Sequence, residues 1–396
     1  MNMNEQMKES EESILHTYNR FPVVFEKGQG CYLYDSEGKE YLDFAAGIAV
    51  NSLGYHYPGY DEALKDQIDK LMHISNLYYN EPIIEAGAKL VKASKMSKAF
   101  FTNSGTEAIE GALKAAKKYA YVRDGHADHE IIAMNHSFHG RSIGALSVTG
   151  TAHYREPFEP LMGGVKFADF NNLESVKAQI TDKTCAIITE VVQGEGGIYP
   201  AKKEFLEGLR QICDEKDIML IFDEIQCGMG RTGHYFAWQA YGVQPDIMTS
   251  AKALGCGVPV GAFVLNEKAA KASLEPGDHG TTYGGNPFVC AAVSKVFDIY
   301  ENDKIIEHVQ EMTPYLEQKL DEIVAKHECA ATRRGMGFMQ GIVIQGRPVG
   351  EVVKAALAKG LLVISAGSDV LRIVPPLGIT KEHIDKMAAI LDECME

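Results

Sequence analysis

Two stretches, IMLIFDE at residues 218–224 and DIMTSAK at residues 246–252, decide the fold of this chain. The first is an apolar run without helical spacing, which predicts a strand buried on both faces, and it ends on the acids Asp223 and Glu224. The second predicts another short strand, which delivers Lys252. Ligands of open α/β sheets bind at the carboxyl ends of the strands. We therefore expect Asp223 and Lys252 to face a common ligand at this edge of the sheet.

An acid and a single lysine at neighbouring strand ends suit pyridoxal 5′-phosphate. The lysine would form a Schiff base with the cofactor, and the acid would pair with its pyridinium nitrogen. Two simpler interpretations stay open, an acid that caps the next helix and a lysine that is a solvated surface charge. Gly228, Gly230 and Gly233 also match the G-x-G-x-x-G fingerprint of dinucleotide binding. Their context argues against it, because two acids separate the strand from the glycines and no apolar-periodic helix opens at Gly233.

Length and composition limit the class of protein. A chain of 396 residues exceeds what one core usually organises, so we expect two domains. The net charge of -15 argues against nucleic acid or an anionic membrane as a partner. The eight cysteines are scattered without a C-x-x-C pair, so neither a disulfide framework nor a zinc site is predicted. We expect a cytoplasmic enzyme, since the N-terminus is polar and acidic and no apolar run approaches transmembrane length.

Strands and helices alternate through the middle of the chain, which predicts a largely parallel sheet covered by helices. The elements predicted here, besides the two strands above, are the strands 99–102, 130–134 and 185–192 and the helices 58–71, 82–93, 106–121 and 203–216.

The two ends of the chain do not show this regular alternation of strands and helices. Two strand-like runs flank a glycine turn, which predicts a hairpin over residues 31–44. After Pro287, long helices (288–301 and 305–327) precede short strands near 337–344 and 370–374, which indicates a smaller α+β domain. The predicted organisation is an N-terminal segment that belongs to the small domain, a large domain and a C-terminal small domain, at residues 1–55, 56–287 and 288–396.

A second candidate part of the site is the sequence FTNSGTEA at residues 101–108, which predicts a strand, a tight turn and a helix start. Ser104, Gly105 and Thr106 fall where backbone N–H groups are free and the helix dipole favours an anion such as a phosphate. An ordinary capping box of Ser104 with Glu107 is the alternative. Both can hold, because a helix cap and a phosphate site use the same free donors.

The sequence HSFHGR at residues 136–141 combines an aromatic residue, a glycine and a cation after a strand. Phe138 would stack on a flat ring, or pack in the core, and Arg141 would bind a carboxylate through two hydrogen bonds. The chain also has two H-x-x-H pairs, made by His126, His129, His136 and His139. These pairs lie in loops without a carboxylate or cysteine partner nearby, so we predict no metal site.

Two further residues and one loop are candidates because of their surroundings. Glu195 follows a buried strand and a glycine, where it is either a loop charge or an acid that covers a substrate-binding arginine. Arg372 lies inside an apolar strand, and a buried arginine is rarely unpaired, so we expect an acid or a ligand beside it. The loop 279–287 is rich in glycine and hydroxyl groups, which suit a phosphate.

Taken together, these blocks resemble the class III, fold-type I, pyridoxal-phosphate-dependent aminotransferases. The resemblance runs from Tyr18 to Arg372, nearly the whole chain, and rests on the order and spacing of the blocks. Within the family the chain is most similar to the acetylornithine aminotransferases, on Ser75–Tyr79 and its compact length. Cys256 departs from the family, which more often has glycine there, and Thr281–Tyr283 is one of several variants.

The resemblance implies a fold and a set of cofactor contacts. The fold would be α/β, with a mostly parallel seven-stranded sheet in the large domain and a smaller α+β domain. Lys252 would be the Schiff-base lysine, and Asp223 the partner of the pyridinium nitrogen. The residues implied around the rest of the cofactor are Phe138 and Ile225 on the ring faces, Gln226 near the phenolic oxygen, and Ser104, Gly105 and Thr106 at the phosphate.

The resemblance also implies partners and substrates. Thr282 would reach the phosphate of the neighbouring subunit, which makes a homodimer part of the site. Tyr18 and Arg141 would hold the amino donor. Glu195 and Arg372 would form an acid–arginine pair that opens for 2-oxoglutarate.

The expected reaction transfers the terminal amino group of N-acetylornithine to 2-oxoglutarate, giving N-acetylglutamate 5-semialdehyde and glutamate, a step of arginine biosynthesis. Donors of other family members stay open, namely succinyl-diaminopimelate, ornithine and 4-aminobutyrate. So do two other classes of protein. An aminomutase, decarboxylase or racemase of class III would not need the pair of Glu195 and Arg372. A non-catalytic regulator should carry a basic DNA-binding extension, and the chain has no basic segment of that kind.

Overall fold

The structure is a computed structural model that describes residues 2–396. Its strands, numbered in chain order, are β1 (Phe25–Gln29), β2 (Tyr32–Asp35), β3 (Glu40–Asp43), β4 (Lys98–Thr102), β5 (Glu130–Met134), β6 (Val165–Ala168), β7 (Thr184–Glu190), β8 (Val192–Gln193), β9 (Tyr199–Pro200), β10 (Met219–Asp223), β11 (Ile247–Ser250), β12 (Gly261–Leu265), β13 (Ala330–Met336), β14 (Met339–Ile344), β15 (Leu361–Leu362), β16 (Ile364–Ala366) and β17 (Val370–Ile373).

The helices are α1 (Met3–Ser13), α2 (Ala46–Ala49), α3 (Tyr60–Lys70), α4 (Glu81–Ser94), α5 (Gly105–Asp124), α6 (Ile143–Ser147), α7 (Ala152–Arg155), α8 (Leu173–Gln179), α9 (Lys203–Lys216), α10 (Trp238–Tyr241), α11 (Glu267–Lys271), α12 (Pro287–Asn302), α13 (Ile305–Lys326), α14 (Val349–Ala358) and α15 (Lys381–Met395). Within residues 2–396, none of them is both long enough and apolar enough to span a membrane.

The central sheet has seven strands in the order β4-β12-β11-β10-β7-β5-β6, and only β12 runs against the others. Its middle strands β7 and β10 are buried along their whole length, because helices cover both faces of a parallel sheet and leave no solvated side. The predicted α/β fold with a mostly parallel seven-stranded sheet is confirmed.

The register of the central sheet places the predicted ligand-facing residues together. Asp223, the last residue of β10, pairs with Thr249 of β11 on one side and with Glu190 of β7 on the other. Lys252 follows two residues after the end of β11. Since these strands are parallel, their carboxyl ends meet at one edge of the sheet.

Two smaller four-stranded sheets and the two-stranded sheet β8-β9 complete the fold. One has the order β13-β14-β17-β16, and its strand β17 contains Arg372. The other has the order β1-β2-β3-β15, in which β2 and β3 form the predicted hairpin. Because β15 pairs with β3, this sheet joins the N-terminal segment to the C-terminal part of the chain. The predicted domain boundaries stay predictions.

Several predicted elements were wrong or missing. The strand predicted over 185–192 ends at Glu190, where Val191 separates β7 from the short strand β8, and the strand predicted from Gly337 begins at Met339. Seven strands were not predicted, namely β1, β6, β9, β12, β13, β15 and β16. Of these, β6 is short and half-buried and β13 carries polar side chains, so neither has the apolar alternation that marks a strand.

The alternative of a dinucleotide-binding loop is wrong. No helix begins at Gly233, and the next helix is the four-residue α10. The glycine loop is instead a connection packed into the core. Arg231 within it is 1% exposed and donates to the backbone carbonyl of Pro375. A Cβ on Gly230 would come within 2.9 Å of Leu377, so the loop lies against the C-terminal part of the chain.

Candidate active site

A cavity of about 430 Å³ opens at the carboxyl edge of the central sheet. Its walls come from the strand ends and from the start of α5, as expected for a ligand site on this fold. The predicted site residues that line it are Ser104, Gly105, Thr106, Phe138, Arg141, Glu195, Asp223, Ile225, Gln226 and Lys252.

Asp223 forms the floor of this cavity and is 3% exposed. Its Oδ1 accepts hydrogen bonds from the backbone N–H of Ile225, at 3.0 Å, and from the hydroxyl of Thr249, at 3.3 Å. Its Oδ2 lies 2.7 Å from Nδ1 of His139, which is also buried. These contacts fix the carboxylate in one orientation. It is therefore not a helix cap, because its partners are a strand neighbour, a histidine and its own turn.

Lys252, just after the carboxyl end of the neighbouring strand β11, is half-buried, so it is not a solvated surface charge. Burial lowers the pKa of its ammonium group to about 8, against the smaller opposing effect of Glu195. Its backbone has φ +48°, a left-handed conformation that a residue with a side chain seldom adopts. The lysine thus sits on a constrained turn with a substantial neutral fraction near pH 8.

The start of α5 provides an anion site. Ser104 is the N-cap, and its hydroxyl accepts from the backbone N–H of Glu107 at 3.3 Å. The N–H groups of Gly105 and Thr106, the first two of the helix, find no acceptor within residues 2–396. Free donors at a helix N-terminus bind phosphate. A Cβ on Gly105 would lie 3.0 Å from Ile225, so glycine allows the close approach of these two walls.

Glu195 and Arg372 form the predicted acid–arginine pair. The two guanidinium Nη atoms of Arg372 donate to the two carboxylate oxygens of Glu195, Nη2 at 3.3 Å. Burial, the largest single effect, works to raise the pKa of Glu195, but the charge and hydrogen bonds of Arg372, together with Lys252 and Gln226, leave that pKa below its ordinary value. Glu195 is therefore ionised at neutral pH.

Gln226 holds this pair from the side. Its amide nitrogen donates to Glu195 at 3.3 Å, and its amide oxygen accepts from Arg372 at 3.1 Å. The predicted contact of Gln226 with a phenolic oxygen stays a prediction. Arg372 also lines a second cavity of about 1040 Å³, so the pair forms part of the wall between two spaces.

Arg141 lies exposed at the mouth of the first cavity. Its guanidinium stacks 4.0 Å from the ring centre of Tyr154 and 5.3 Å from that of Phe138. It forms no ion pair within residues 2–396, so its charge is open to an anionic ligand. Besides Arg372, two predicted site residues do not line this cavity. Tyr18 is 72% exposed, and Thr282 is exposed as well, so their roles stay predictions.

Two functional candidates were missed at the sequence level. His139 was considered only as part of an H-x-x-H pair, whereas the structure places it against Asp223. Glu190 ends the apolar strand β7 just as Asp223 ends β10, and this shared pattern was the available signal. Glu190 also lines the cavity.

A carboxylate lies beside one of the two H-x-x-H pairs, and this proximity was not predicted from the sequence. Asp124, at the end of α5, lies with His126 and His129 so that one possible ligand atom of each falls within 4.8 Å of the others. Both oxygens of Asp124 also accept from Arg123, at 2.6 Å each, and a guanidinium there competes with a cation. The expectation that the chain binds no metal stays a prediction.

The residues of the cavity fit pyridoxal 5′-phosphate. The free N–H groups of α5 suit its phosphate, and the apolar side chains of Phe138 and Ile225 suit its ring faces. Asp223 suits a protonated ring nitrogen, and Lys252 suits its aldehyde. A lysine and an acid at adjacent strand ends, with a phosphate site beside them, define a pyridoxal-phosphate-dependent enzyme.

The family model described as Aminotransferase class-III matches residues 14–395. The chain therefore belongs to the class III aminotransferases, and the predicted enzyme class and cofactor are confirmed. An acetylornithine aminotransferase of Clostridium acetobutylicum is 47% identical over 98% of this chain and 100% of its own. A succinylornithine transaminase of Yersinia pseudotuberculosis is 43% identical over 96% of this chain and 94% of its own.

Solved structures agree. The ornithine aminotransferase of Toxoplasma gondii, which holds pyridoxal phosphate at partial occupancy in its active site, is 28% identical with a TM-score of 0.95, covering 100% of this chain and 94% of that one. The N-acetylornithine aminotransferase of Stenotrophomonas maltophilia is 35% identical with a TM-score of 0.84, covering 98% of each chain.

Proposed function

We propose that this protein transfers the terminal amino group of an N-acylated ornithine to 2-oxoglutarate, and that N-acetylornithine is its preferred donor. The products are the acylated glutamate semialdehyde and glutamate, which places the enzyme in arginine biosynthesis. The observation that carries the proposal is the buried pair of Glu195 and Arg372 beside Lys252. Relatives named for acetylornithine and for succinylornithine support the donor class.

The cofactor supplies an aldehyde that takes the amino group and a ring that withdraws electrons. The protein contributes the rest. Asp223 presents a fixed carboxylate that stabilises a protonated ring nitrogen. Lys252, with a pKa lowered to about 8 by burial, takes up and returns a proton near neutral pH. Phe138 and Ile225 exclude water from the ring faces.

The donor and the acceptor differ in the number of their carboxylates and in the distance of these from the reacting group. N-acetylornithine has one free carboxylate far from its reacting amine, and Arg141 at the mouth suits this carboxylate. 2-Oxoglutarate has a second carboxylate, close to the reacting carbon, and Arg372 suits that one. While the donor binds, Glu195 neutralises Arg372, so the donor's carboxylate is not drawn to the wrong end. The acceptor's carboxylate displaces Glu195.

The test is a set of half-reactions of the holoenzyme, followed by the cofactor's absorption. The amines are N-acetylornithine, N-succinylornithine, ornithine and 4-aminobutyrate. We expect the highest kcat/KM for N-acetylornithine, with N-succinylornithine next. A preference for 4-aminobutyrate or for free ornithine would overturn the donor class, and absence of any amine-driven change in absorption would overturn the reaction itself.

We also propose that the active unit is a homodimer in which Thr282 reaches the phosphate of the partner subunit. Thr282 is exposed and lies outside the cavity of its own chain, as this arrangement requires. Large apolar side chains are exposed next to Thr282 in the sequence and in the segment between α3 and α4. Examples are Leu77 at 86%, Tyr79 at 95% and Tyr283 at 63% exposure. These exposed apolar residues support the proposed contact with a second subunit.

Subunit exchange tests the homodimer. Two inactive variants, Lys252→Ala and Thr282→Val, are mixed and allowed to exchange subunits. A mixed dimer has one site with both native residues, so part of the activity should return. Exchange without any recovered activity would contradict the shared site, and a monomeric mass in solution would contradict the dimer.

A further inference from the structure

Glu190 lies beside Asp223, but none of the roles described above uses it. The two residues are register partners on the parallel strands β7 and β10, so their side chains leave the same face of the sheet. Glu190 is 5% exposed. Asp223 has the imidazole of His139 as a side-chain partner, whereas no lysine, arginine or histidine within residues 2–396 forms an ion pair with Glu190. A buried acid without a cation must be held in another way.

Both oxygens of Glu190 accept from backbone N–H groups, and these belong to different loops. Oε1 accepts from Gly194 at 3.1 Å, and Oε2 accepts from Phe138 at 3.3 Å. Gly194 immediately precedes Glu195, and Phe138 lines the cavity in the loop after β5. One side chain therefore ties together the loop of a ring-contacting residue and the loop of the acid–arginine pair.

The contact continues from Gly194 to the pair itself. A Cβ on Gly194 would come within 2.6 Å of the side chain of Gln226, so the two are in close contact. The Gln226 amide is hydrogen-bonded to Glu195 and to Arg372. A displacement of Gly194 thus reaches both members of the pair.

We propose that Glu190 is a positioning residue that couples the Phe138 loop, which supports the cofactor ring, to the pair of Glu195 and Arg372, which selects the substrate. The role of Glu195 and Arg372 in selecting the substrate rests on the proposed function. Loss of the Glu190 contacts changes both cofactor retention and substrate preference, although Glu190 itself touches neither Arg372 nor Lys252 through a hydrogen bond.

The substitution Glu190→Gln isolates this role. Burial, and after it the charge of Asp223, raises the pKa of Glu190 well above its ordinary value. Glutamine keeps the size of the side chain and one of its two acceptor oxygens. Both oxygens of the glutamate carboxyl group accept hydrogen bonds, whereas the NH₂ group of glutamine does not. The variant thus loses one of the two backbone contacts.

Glu224 offers a matched control. It is also fully buried, and burial raises its pKa to about 7. It accepts from two backbone N–H groups as well, those of Ala237 and Trp238, at 2.8 Å each. It does not line the cavity. Glu224→Gln therefore measures the stability lost when a buried glutamate becomes glutamine at a position that does not connect the Phe138 loop to the pair of Glu195 and Arg372.

The experiment compares native holoenzyme, Glu190→Gln and Glu224→Gln in three measurements. They are the melting temperature, the rate at which the holoenzyme loses pyridoxal phosphate on dilution, and the ratio of kcat/KM for N-acetylornithine to that for glutamate. A lost buried hydrogen bond corresponds to a factor of about five or more. We expect Glu190→Gln to change both the rate of cofactor loss and the ratio by that factor, and Glu224→Gln to lower only the melting temperature.

The decisive comparison is a double-mutant cycle. Phe138→Leu should alter the substrate ratio in the native background, and this effect should disappear in the Glu190→Gln background. An unchanged effect of Phe138→Leu, or a Glu190→Gln enzyme altered only in melting temperature, would overturn the coupling. Cofactor loss is measured without any amine, so a wrong donor assignment leaves that arm interpretable. If Glu190→Gln does not fold, Glu190→Asp is used, which is one methylene too short for both contacts.

Discussion

Replacing Glu195 by glutamine removes the charge that covers Arg372 and keeps the size of the side chain. The native pair has two charge-assisted hydrogen bonds, one from each Nη atom of Arg372. A glutamate or 2-oxoglutarate carboxylate must break these bonds before it binds. Hydrogen bonds to charged groups contribute roughly 1.5–3 kcal/mol. We take about 2 kcal/mol for this pair, because a quarter of the Glu195 side chain is exposed to solvent, which corresponds to a factor of about 30.

We therefore expect the Glu195→Gln enzyme to shift its ratio of kcat/KM toward glutamate, relative to N-acetylornithine, by about 30-fold. Two effects add to this shift. The carboxylate of glutamate no longer competes with Glu195, and the carboxylate of N-acetylornithine is drawn to a bare Arg372 at the reacting end. The buried Nε of Arg372 already has no partner within residues 2–396, which strengthens the attraction for any carboxylate.

The assay is a single-turnover absorption measurement with each amine over a range of concentrations. Glu207→Gln on the outer face of α9 is the control, since the only ion pair of this exposed residue within residues 2–396 is with Lys203, at 3.7 Å. Equal losses for both amines would refute the reasoning, because they would show that Glu195 maintains the site without selecting the substrate. An unchanged ratio would show that the acceptor carboxylate does not use Arg372.

Three other predictions follow from the same site. Lys252→Ala should retain pyridoxal phosphate without covalent attachment and lose nearly all turnover, which mass spectrometry and steady-state rates measure. An active variant would remove the assignment. Asp223→Asn should lower kcat by at least about 100-fold, since a carboxylate at about 4 Å contributes roughly 4 kcal/mol. Near-normal kcat would show that the ring nitrogen needs no anionic partner. Because the lowered pKa of Lys252 makes the neutral amine predominant above about 8, cofactor capture by the apoenzyme should speed up with pH and level off there. A plateau only near 10.5, the ordinary lysine value, would contradict the effect of burial.

Much of the fold was predictable because its determinants are local. The helix α9 and the strand β5 have the bounds that the sequence indicated, since one is amphipathic over its length and the other is an uninterrupted apolar run. The strand β13 was missed because its AATRRGM sequence has no such pattern, and it forms by pairing with β14. Pairing partners decide such a strand, and they lie outside the segment itself.

The same distinction holds within the site. Asp223, Lys252 and Arg372 were predictable because a charge in or after an apolar strand is unusual in any context. The contact between His139 and Asp223 joins residues 84 positions apart, and no local sequence pattern around either residue predicts it. The two backbone contacts of Glu190 are of the same kind, because a backbone N–H group is present at nearly every position of every sequence.

Arg372 belongs to β17, in a different sheet from β10, which carries Asp223, and from β11, which precedes Lys252. Its neighbours across that sheet are Gly341 and Ile364, which take no part in the cofactor cavity. Mutations that tilt or shift β17 therefore alter which carboxylate the enzyme accepts and leave the proton-transfer groups undisturbed. Such a division lets one lineage diversify its substrates by small steps, without passing through forms that have lost their chemistry. A laboratory evolution experiment on substrate range should accordingly collect its first changes in β14, β16 and β17 and not in β10 or β11.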